Sequence, residues 1–502
     1  MYTDYQNPFI NDGTIISGDH FIGRQDSLKV IERRVIRPRG GNLVIVGEPR
    51  TGKSSLVQKA IIDRKDELLA KKLLPIWINL ATFDNSSLFF RSLVTSCYDE
   101  LEELGWLNKL IIREKERALE DELSWTEGYG RIQRFFQKVR QAEIRILFIL
   151  DEFDHARRVF KSSVSRFQGV RELSYKPDWR VYWLITSRRN IKNIESQIGS
   201  VSNFAQTLGS SHYLGMFDQI DMEAYFSRLS SVGIPVESVL QEQIVYFCGG
   251  YPYLLEMLGY EIVEMFYEQQ VIDIEKCMQI LQGAFFDHYD RIIDLLREDD
   301  NLHKLLQILF GWAIDVKQTD IDDFLRYGLL QITEQETYQA FSMHFQTYLK
   351  LVERQIDLRN ILRETEIALR YFITEKMRNK YGDSWVEELE KKHPKAKTVF
   401  DRCRGEQQRE KNSFGSRASQ NLLDFTYPRE LFDVILIKNE WQTTFSTIFG
   451  KDKQYWDQRG QLLSKIRNPL AHNRDQVLYE HERQIAEGYC KEILELTNDN
   501  QN

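Results

Sequence analysis

Two clusters of residues in this 502-residue chain have the types and spacing to do chemistry. The first is Gly47-x-x-x-x-Gly52-Lys53-Ser54, entered by the apolar run Leu43, Val44, Ile45, Val46 and followed by a helix-compatible stretch. That strand–loop–helix setting is what a phosphate loop requires. Its glycines let backbone N–H groups curl around the β- and γ-phosphates, and the next helix points its positive end at them. Lys53 adds a charge and Ser54 offers a hydroxyl to Mg²⁺. Further on, the buried-strand pattern of IRILFILDEFDHA (144–156) ends in acids. Asp151 is placed to hold the Mg²⁺ water shell, and Glu152 to orient or deprotonate the attacking water. Another strand pattern, WRVYWLITSRR (179–189), ends in Thr186-Ser187-Arg188-Arg189, from which one arginine could reach a γ-phosphate and report its hydrolysis. A glycine turn, a solvated strand exit and ordinary surface charges would each explain one of these features. Their order and spacing explain all three together.

The second cluster lies in LLSKIRNPLAHNRD, where Arg467 and His472 are separated by four residues. On one unbroken helix, five positions amount to about 140° of rotation, so the two side chains would diverge. Asn468 can cap and Pro469 can start a helix, which predicts Arg467 just before a positive helix end and His472 in its early turns. Such a corner gathers an imidazole, a guanidinium and free N–H groups around a phosphodiester. His can move a proton near neutral pH, and Arg can neutralise a pentacoordinate phosphate. RNA suits this chemistry because its 2′-OH is an internal nucleophile, so no metal is needed. On spacing alone, a helix break with exposed polar residues is the competing explanation.

The elements that must position these groups follow from pattern. Residues 1–17 are polar and read as a mobile lead-in. Phe21-Ile22-Gly23-Arg24 precedes an amphipathic helix and could clasp an adenine, a backbone segment meeting the base edge while apolar residues cover its face. LLPIWINLA (73–81) reads as another strand, so residues 18–219 form an α/β layer with a mostly parallel sheet. Residues 220–295 turn helical, with Cys248-Gly249-Gly250-Tyr251-Pro252 opening a helix whose Pro252 lacks only an N–H that would be unpaired there. Residues 356–390 read as one long amphipathic helical segment, and helical patterns resume from 428 to 497. Between them, residues 391–420 carry nine Lys+Arg against three acids, which predicts a basic loop or insertion.

Composition is that of a globular protein of several domains: 42% hydrophobic and 12% aromatic. A net charge of −8 argues against a surface coated in nucleic acid. The apolar runs are far short of a bilayer crossing, and the N-terminus has neither a basic start nor an apolar signal segment, so a soluble cytoplasmic protein is expected. Five cysteines are scattered without C-x-x-C pairing, which predicts free thiols and no zinc site.

Taken in order, FIGR, GEPRTGKS, LFILDEFD, ITSR and GGYP resemble the STAND class of AAA+-related P-loop ATPases, signalling NTPases of many prokaryotic defence and regulatory proteins. The resemblance covers about residues 18–352 and implies ATP and Mg²⁺ as cofactors. It places Ile22, Arg24 and Pro252 at the adenine, and Gly47, Gly52, Lys53, Ser54 and Ser55 at the phosphates. Ser54 and Asp151 fall at the metal, Glu152 at the water, and Arg188 on the γ-phosphate. The stretch 296–352 resembles the winged helix that closes such ATPases, although no superhelical repeat array follows to sense a trigger. Glu366 with Leu369-Arg370, Tyr381-Gly382-Asp383-Ser384-Trp385 and Arg467-Asn-Pro-Leu-Ala-His472 look like an HEPN domain over 355–498. HEPN domains are helical, pair across dimers, and often cut RNA without metal through an Arg-x4–6-His motif. Together these imply an ATP-controlled endoribonuclease, catalytic at Glu152, Arg467, His472 and Glu366, homo-oligomeric, answering a separate trigger in antiviral defence. A DNA-binding regulator using the winged helix, or a signalling scaffold with HEPN only for dimerisation, stays open at this point.

Overall fold

In a computed structural model of the protein, the structure describes residues 6–10, 13–121, 124–161, 163–199, 203–311, 316–471 and 480–499. The chain divides into two compact units, residues 1–348 and 349–502.

The first unit is organised by a five-stranded sheet. β1 (Leu43–Val46), β2 (Leu73–Asn79), β3 (Arg145–Asp151), β4 (Tyr182–Ser187) and β5 (His212–Tyr213) lie in the order β2-β3-β4-β1-β5, with every pairing parallel. Strands covered on both faces are apolar throughout, and all of β1 is buried. Alternation decides which layer each side chain enters. Val44 and Val46 join Phe148 and Trp183 on one face, while Leu43 and Ile45 join Leu147 and Leu184 on the other. Before the sheet comes α1 (Gln25–Ile31), and β1 leads through the loop into α2 (Lys53–Ala60). These two cover the second layer with Ile31, Leu56 and Val57. Over the first layer, α3 (Ser86–Glu103) and α4 (Trp125–Gln141) bring Phe89, Phe90, Phe135 and Phe136. Each such burial contributes about 1.5–3 kcal/mol, which makes the sheet a rigid platform.

Register sets the site. Val46 pairs with Ser187 and Asn79 with Asp151, so the phosphate loop, the acids and the arginine pair all leave the same carboxyl edge. β4 stands between the loop strand and the acid strand. The two-residue β5 left no periodic signal in the sequence.

Four helices follow: α5 (Gln219–Ser231), α6 (Ser238–Cys248), α7 (Pro252–Gln269) and α8 (Ile274–Glu298). Then α9 (Leu302–Phe310) and α10 (Gln318–Tyr327) precede an antiparallel hairpin of β6 (Leu330–Ile332) and β7 (Tyr338–Ala340). The expected mobile lead-in is corrected here for its described residues. Phe9 is 2% exposed, Asn7 Nδ2 donates to Glu264 Oε1 at 2.7 Å, and Ile16 N donates to Ser55 Oγ at 3.0 Å. A mostly polar composition hid one aromatic anchor, which fills a slot over Gly259 with its ring 5.3 Å from that of Tyr225.

The chain passes to the second unit within α11 (Met343–Tyr381), and the described elements of that unit are all helical. It continues as α12 (Trp385–Lys392), α13 (Pro394–Phe414), α14 (Pro428–Ile435), α15 (Lys453–Ala471) and α16 (Glu480–Asp499) around one core that includes Phe372, Phe400, Phe432, Trp456 and Ile466. The single segment expected over 356–390 is broken at Gly382, whose φ of +71° suits glycine. Two more expectations are corrected. The basic stretch 391–420 is mainly the helix α13 and not a loop. Ala396, Phe400 and Cys403 give it a buried stripe at helical spacing, and four of its cations are paired with acids, among them Arg404 with Glu390 at 2.6 Å and Lys397 with Asp401 at 2.9 Å. Asn468-Pro469 starts no helix, because α15 runs through both, with Pro469 inside it. Proline inside the helix forfeits one i→i−4 backbone hydrogen bond. All five cysteines are buried and free. No helix among the described residues is long and apolar enough to cross a membrane.

Candidate functional site

The phosphate loop folds as its residues demand. Gly52 holds φ at +90°, a conformation strained for any residue with a Cβ, and caps α2, so the first free N–H groups of that helix face the cavity. Lys53 Nζ lies across the loop, donating to the carbonyls of Gly47 and Glu48 at 2.9 and 2.8 Å. Burial lowers the Lys53 pKa, and the same burial raises that of Glu48 against the opposing pull of Arg188 and Lys53. Ser54 Oγ donates to both carboxylate oxygens of Asp151 at 3.1 Å, and Thr186 Oγ1 donates to Asp151 Oδ1. A hydroxyl and a carboxylate so joined suit a Mg²⁺ ion bound to a nucleotide. Glu152 follows in the left-handed region (φ 54°) and is exposed towards the cavity.

The cavity is about 640 Å³, and Gly52, Lys53, Ser54, Ser55, Asp151, Glu152, Arg188 and Pro252 all line it. Ile22 and Arg24 lie outside this lining. Arg24 is buried, donating to the carbonyls of Thr51 and Gly215 at 3.2 and 2.7 Å, while its backbone N–H donates to Asp221 at 2.6 Å. It therefore braces the phosphate loop against the helical region. Ile10, Ile15 and Ile16 of the N-terminal segment supply apolar lining instead.

The sequence pattern pointed to Pro252 on α7 but to none of Asp154, Glu256, Arg291 and Asp299. Asp154 accepts the backbone N–H groups of Arg188 and Arg189 at 2.6 and 3.0 Å, which fixes the exit of β4. Arg188 Nη2 stands 2.6 Å from Asp299 Oδ2, and Arg189 donates twice to Asp299 Oδ1 at 2.9 and 2.7 Å. Asp299 caps the carboxyl end of α8. Arg291 and Glu256 complete the lining from α8 and α7. Glu256 accepts the Ile10 N–H at 3.2 Å, and burial lifts its carboxyl to about 7. An i, i+4 step from Pro252 was the available signal for Glu256, since both fall on one face of α7.

In the second unit, the structure brings Glu366 and Arg467 together. Arg467 Nε lies 3.7 Å from Glu366 Oε1, and Arg370 Nη2 donates to Glu366 Oε2 at 3.0 Å. Burial raises the Glu366 pKa and the two arginines oppose it. His472 lies outside the described residues. α15 runs unbroken from Arg467 through Asn468 and Pro469, so no helix starts beside Arg467 and the predicted positive helix end does not exist there.

Residues 360–488 match the model of the Swt1-like HEPN family. No curated protein matches the chain. Among solved structures, the chain is similar to the Walker-type ATPase of Pyrococcus abyssi, with 14% identity, 66% of this chain and 97% of that one covered, and a TM-score of 0.44. It is similar also to the RuvB Holliday junction branch migration motor of Thermotoga maritima (15% identity, 67% and 96% covered, TM-score 0.34). A third is the ORC2 protein of Aeropyrum pernix (10% identity, 70% and 96% covered, TM-score 0.37). The chain joins a unit of P-loop ATPase fold, defined by its own strand order and phosphate loop, to a C-terminal Swt1-like HEPN domain.

Proposed function

We propose that the chain is an endoribonuclease under ATP control, in which a STAND-like ATPase unit is the switch and the HEPN domain cuts. The observation that carries the switch is the meeting of Lys53, Ser54, Asp151, Glu152 and Arg188 on one cavity of nucleotide size. Lys53 and the N–H groups at the start of α2 would hold phosphate oxygens, and Ser54 with Asp151 would hold Mg²⁺, which when bound neutralises developing phosphate charge. Glu152 would take the proton of the attacking water as its oxygen bonds to the γ-phosphorus and the bond to the β–γ bridging oxygen breaks. A γ-phosphate would compete with Asp299 for Arg188, and exchanging one for the other would leave the end of α8 held by Arg189 alone.

The cutting role is supported by the HEPN match and by the Glu366–Arg467 contact. His472 would take the proton of a ribose 2′-OH as its oxygen attacks phosphorus. Arg467 would neutralise the pentacoordinate phosphate, and the P–O5′ bond would break with a proton passing to O5′ from the partner protomer's acid. Pairing of two protomers through HEPN completes such a site, and growth arrest by RNA loss fits antiviral defence. A winged helix over 296–352 would serve assembly.

The test is purified full chain with cellular RNA, with and without ATP. Expected are 5′ fragments ending in 2′,3′-cyclic phosphate, and their loss in Arg467→Ala and His472→Ala with ATP binding intact. Cleavage retained in His472→Ala, or 3′-hydroxyl ends, overturns the ribonuclease assignment. Duplex-DNA binding without cleavage would support the regulator, and neither activity the scaffold.

A further inference from the structure

We infer that Tyr427 is a stacking platform for an unpaired nucleobase of the RNA strand, next to the phosphodiester that Arg467 would hold. This rests on the ribonuclease reading above. Four segments meet around Thr426-Tyr427. Glu366 and Arg370 come from α11, Arg402 from α13, Arg467 from α15, and Tyr427 itself caps the start of α14. The contacts close a circuit: Arg467 to Glu366 at 3.7 Å, Arg370 to Glu366 at 3.0 Å, and Arg370 again to the Thr426 carbonyl at 2.9 Å. The next residue is Tyr427, whose ring centroid lies 5.8 Å from the guanidinium carbon of Arg467 and 4.4 Å from that of Arg402.

Two properties separate this ring from a packing residue. Tyr427 is 50% exposed and takes no part in the helical core, although Phe432, five residues on, is fully buried. Its backbone is nonetheless pinned. Tyr427 N donates to Glu430 Oε2 at 2.7 Å, Pro428 follows, and Arg402 is tied to both the Phe425 carbonyl at 2.9 Å and Glu430. Proteins hold single-stranded RNA by stacking a base on a fixed aromatic ring while cations meet the adjoining phosphates, and Tyr427 is such a ring, half exposed, with two guanidinium groups over it that can turn to those phosphates. A stacked base of this kind changes affinity about 5- to 100-fold. Larger purine faces should be favoured at that position.

The experiment uses full-length protein and a 2′-O-methyl RNA oligonucleotide, which the proposed chemistry cannot cut, carrying one 2-aminopurine whose fluorescence falls on stacking. The parent, Tyr427→Phe and Tyr427→Trp should quench the probe. Tyr427→Leu should bind about 5- to 100-fold more weakly, without quenching, at an unchanged melting temperature. On cleavable RNA, Tyr427→Leu should raise KM with kcat retained and lose the base preference at the cut site. Parent-like affinity and quenching in Tyr427→Leu overturns the inference, as does loss of quenching in Tyr427→Trp should the leucine variant not fold. Tyr427-dependent quenching by a parent chain that cuts no RNA upholds the platform while the ribonuclease reading fails. Cleavage with the same KM and cut profile in Tyr427→Leu sinks the platform alone.

Discussion

Removing Asp299 should raise affinity for ATP and leave affinity for ADP unchanged. Asp299 holds Arg188 at 2.6 Å and Arg189 at 2.7 Å, and the three side chains are 20%, 11% and 6% exposed, so the contacts are poorly screened. Arg189 keeps Glu298 at 3.1 Å and Asp154 at 3.7 Å when Asp299 is gone, whereas Arg188 is released towards the cavity. A charge-assisted contact is worth about 1.5–3 kcal/mol, which Arg188 must forfeit before it can reach a γ-phosphate. Asp299→Ala removes that competitor, and at about 1.4 kcal/mol per decade ATP affinity should rise roughly 10- to 100-fold. ADP lacks the group that Arg188 would meet. Stability should fall by about 3 kcal/mol, near the lower end for breaking a buried pair, because Arg189 retains two acids. Calorimetric titration with a non-hydrolysable ATP analogue and with ADP, alongside thermal unfolding, measures both. Equal gains for ATP and ADP would refute the competition, and so would an ATP gain that survives Arg188→Ala in the same chain.

Lys53→Ala should abolish nucleotide binding, whereas Glu152→Gln should bind ATP and turn it over about 10²- to 10⁴-fold more slowly in a phosphate-release assay. Phe9→Ala should cost about 3–5 kcal/mol in unfolding experiments and expose the N-terminal segment to protease, since Phe9 fills the slot beside Tyr225 and Gly259. For Glu256, burial raises the folded pKa from 4.5 to about 7, so its contribution is fully present below 4.5 and is lost as pH rises to 7. The loss is on the order of 3 kcal/mol. Melting temperature should therefore fall between pH 5 and 8, and Glu256→Gln should flatten that slope.

The ATPase unit was legible because its signals are local and redundant. A β-branched run before Gly47 specifies a buried strand, and the same apolar periodicity places Asp151 and Arg188 at strand ends; parallel register then brings the three together without further information. What escaped was carried by tertiary contact. Phe9 is one aromatic in a polar stretch, Arg24 turned from the adenine role to a brace on Thr51 and Gly215, and Asp299 is one of two adjacent aspartates at a helix end. No window of sequence distinguishes these from solvated residues. Only the burial of their partners does.

In the HEPN unit the failures share a cause. Charge runs and proline were read as solvated loop and helix start, yet each was overridden by a buried stripe. Phe400 and Cys403 hold α13 against the core, so Arg404 meets Glu390 and Arg402 meets Glu430. In the same way Leu463, Ile466 and Leu470 repeat at helical spacing through Asn468-Pro469, and burying that stripe outweighs the one hydrogen bond that Pro469 removes from α15. Arg467 keeps its place beside Glu366 for this reason. The apolar face of α15 turns inward on Ile466, and the next position, one residue on, is delivered to the edge where α11 presents Glu366 and Arg370, with the ring of Tyr427 beside it.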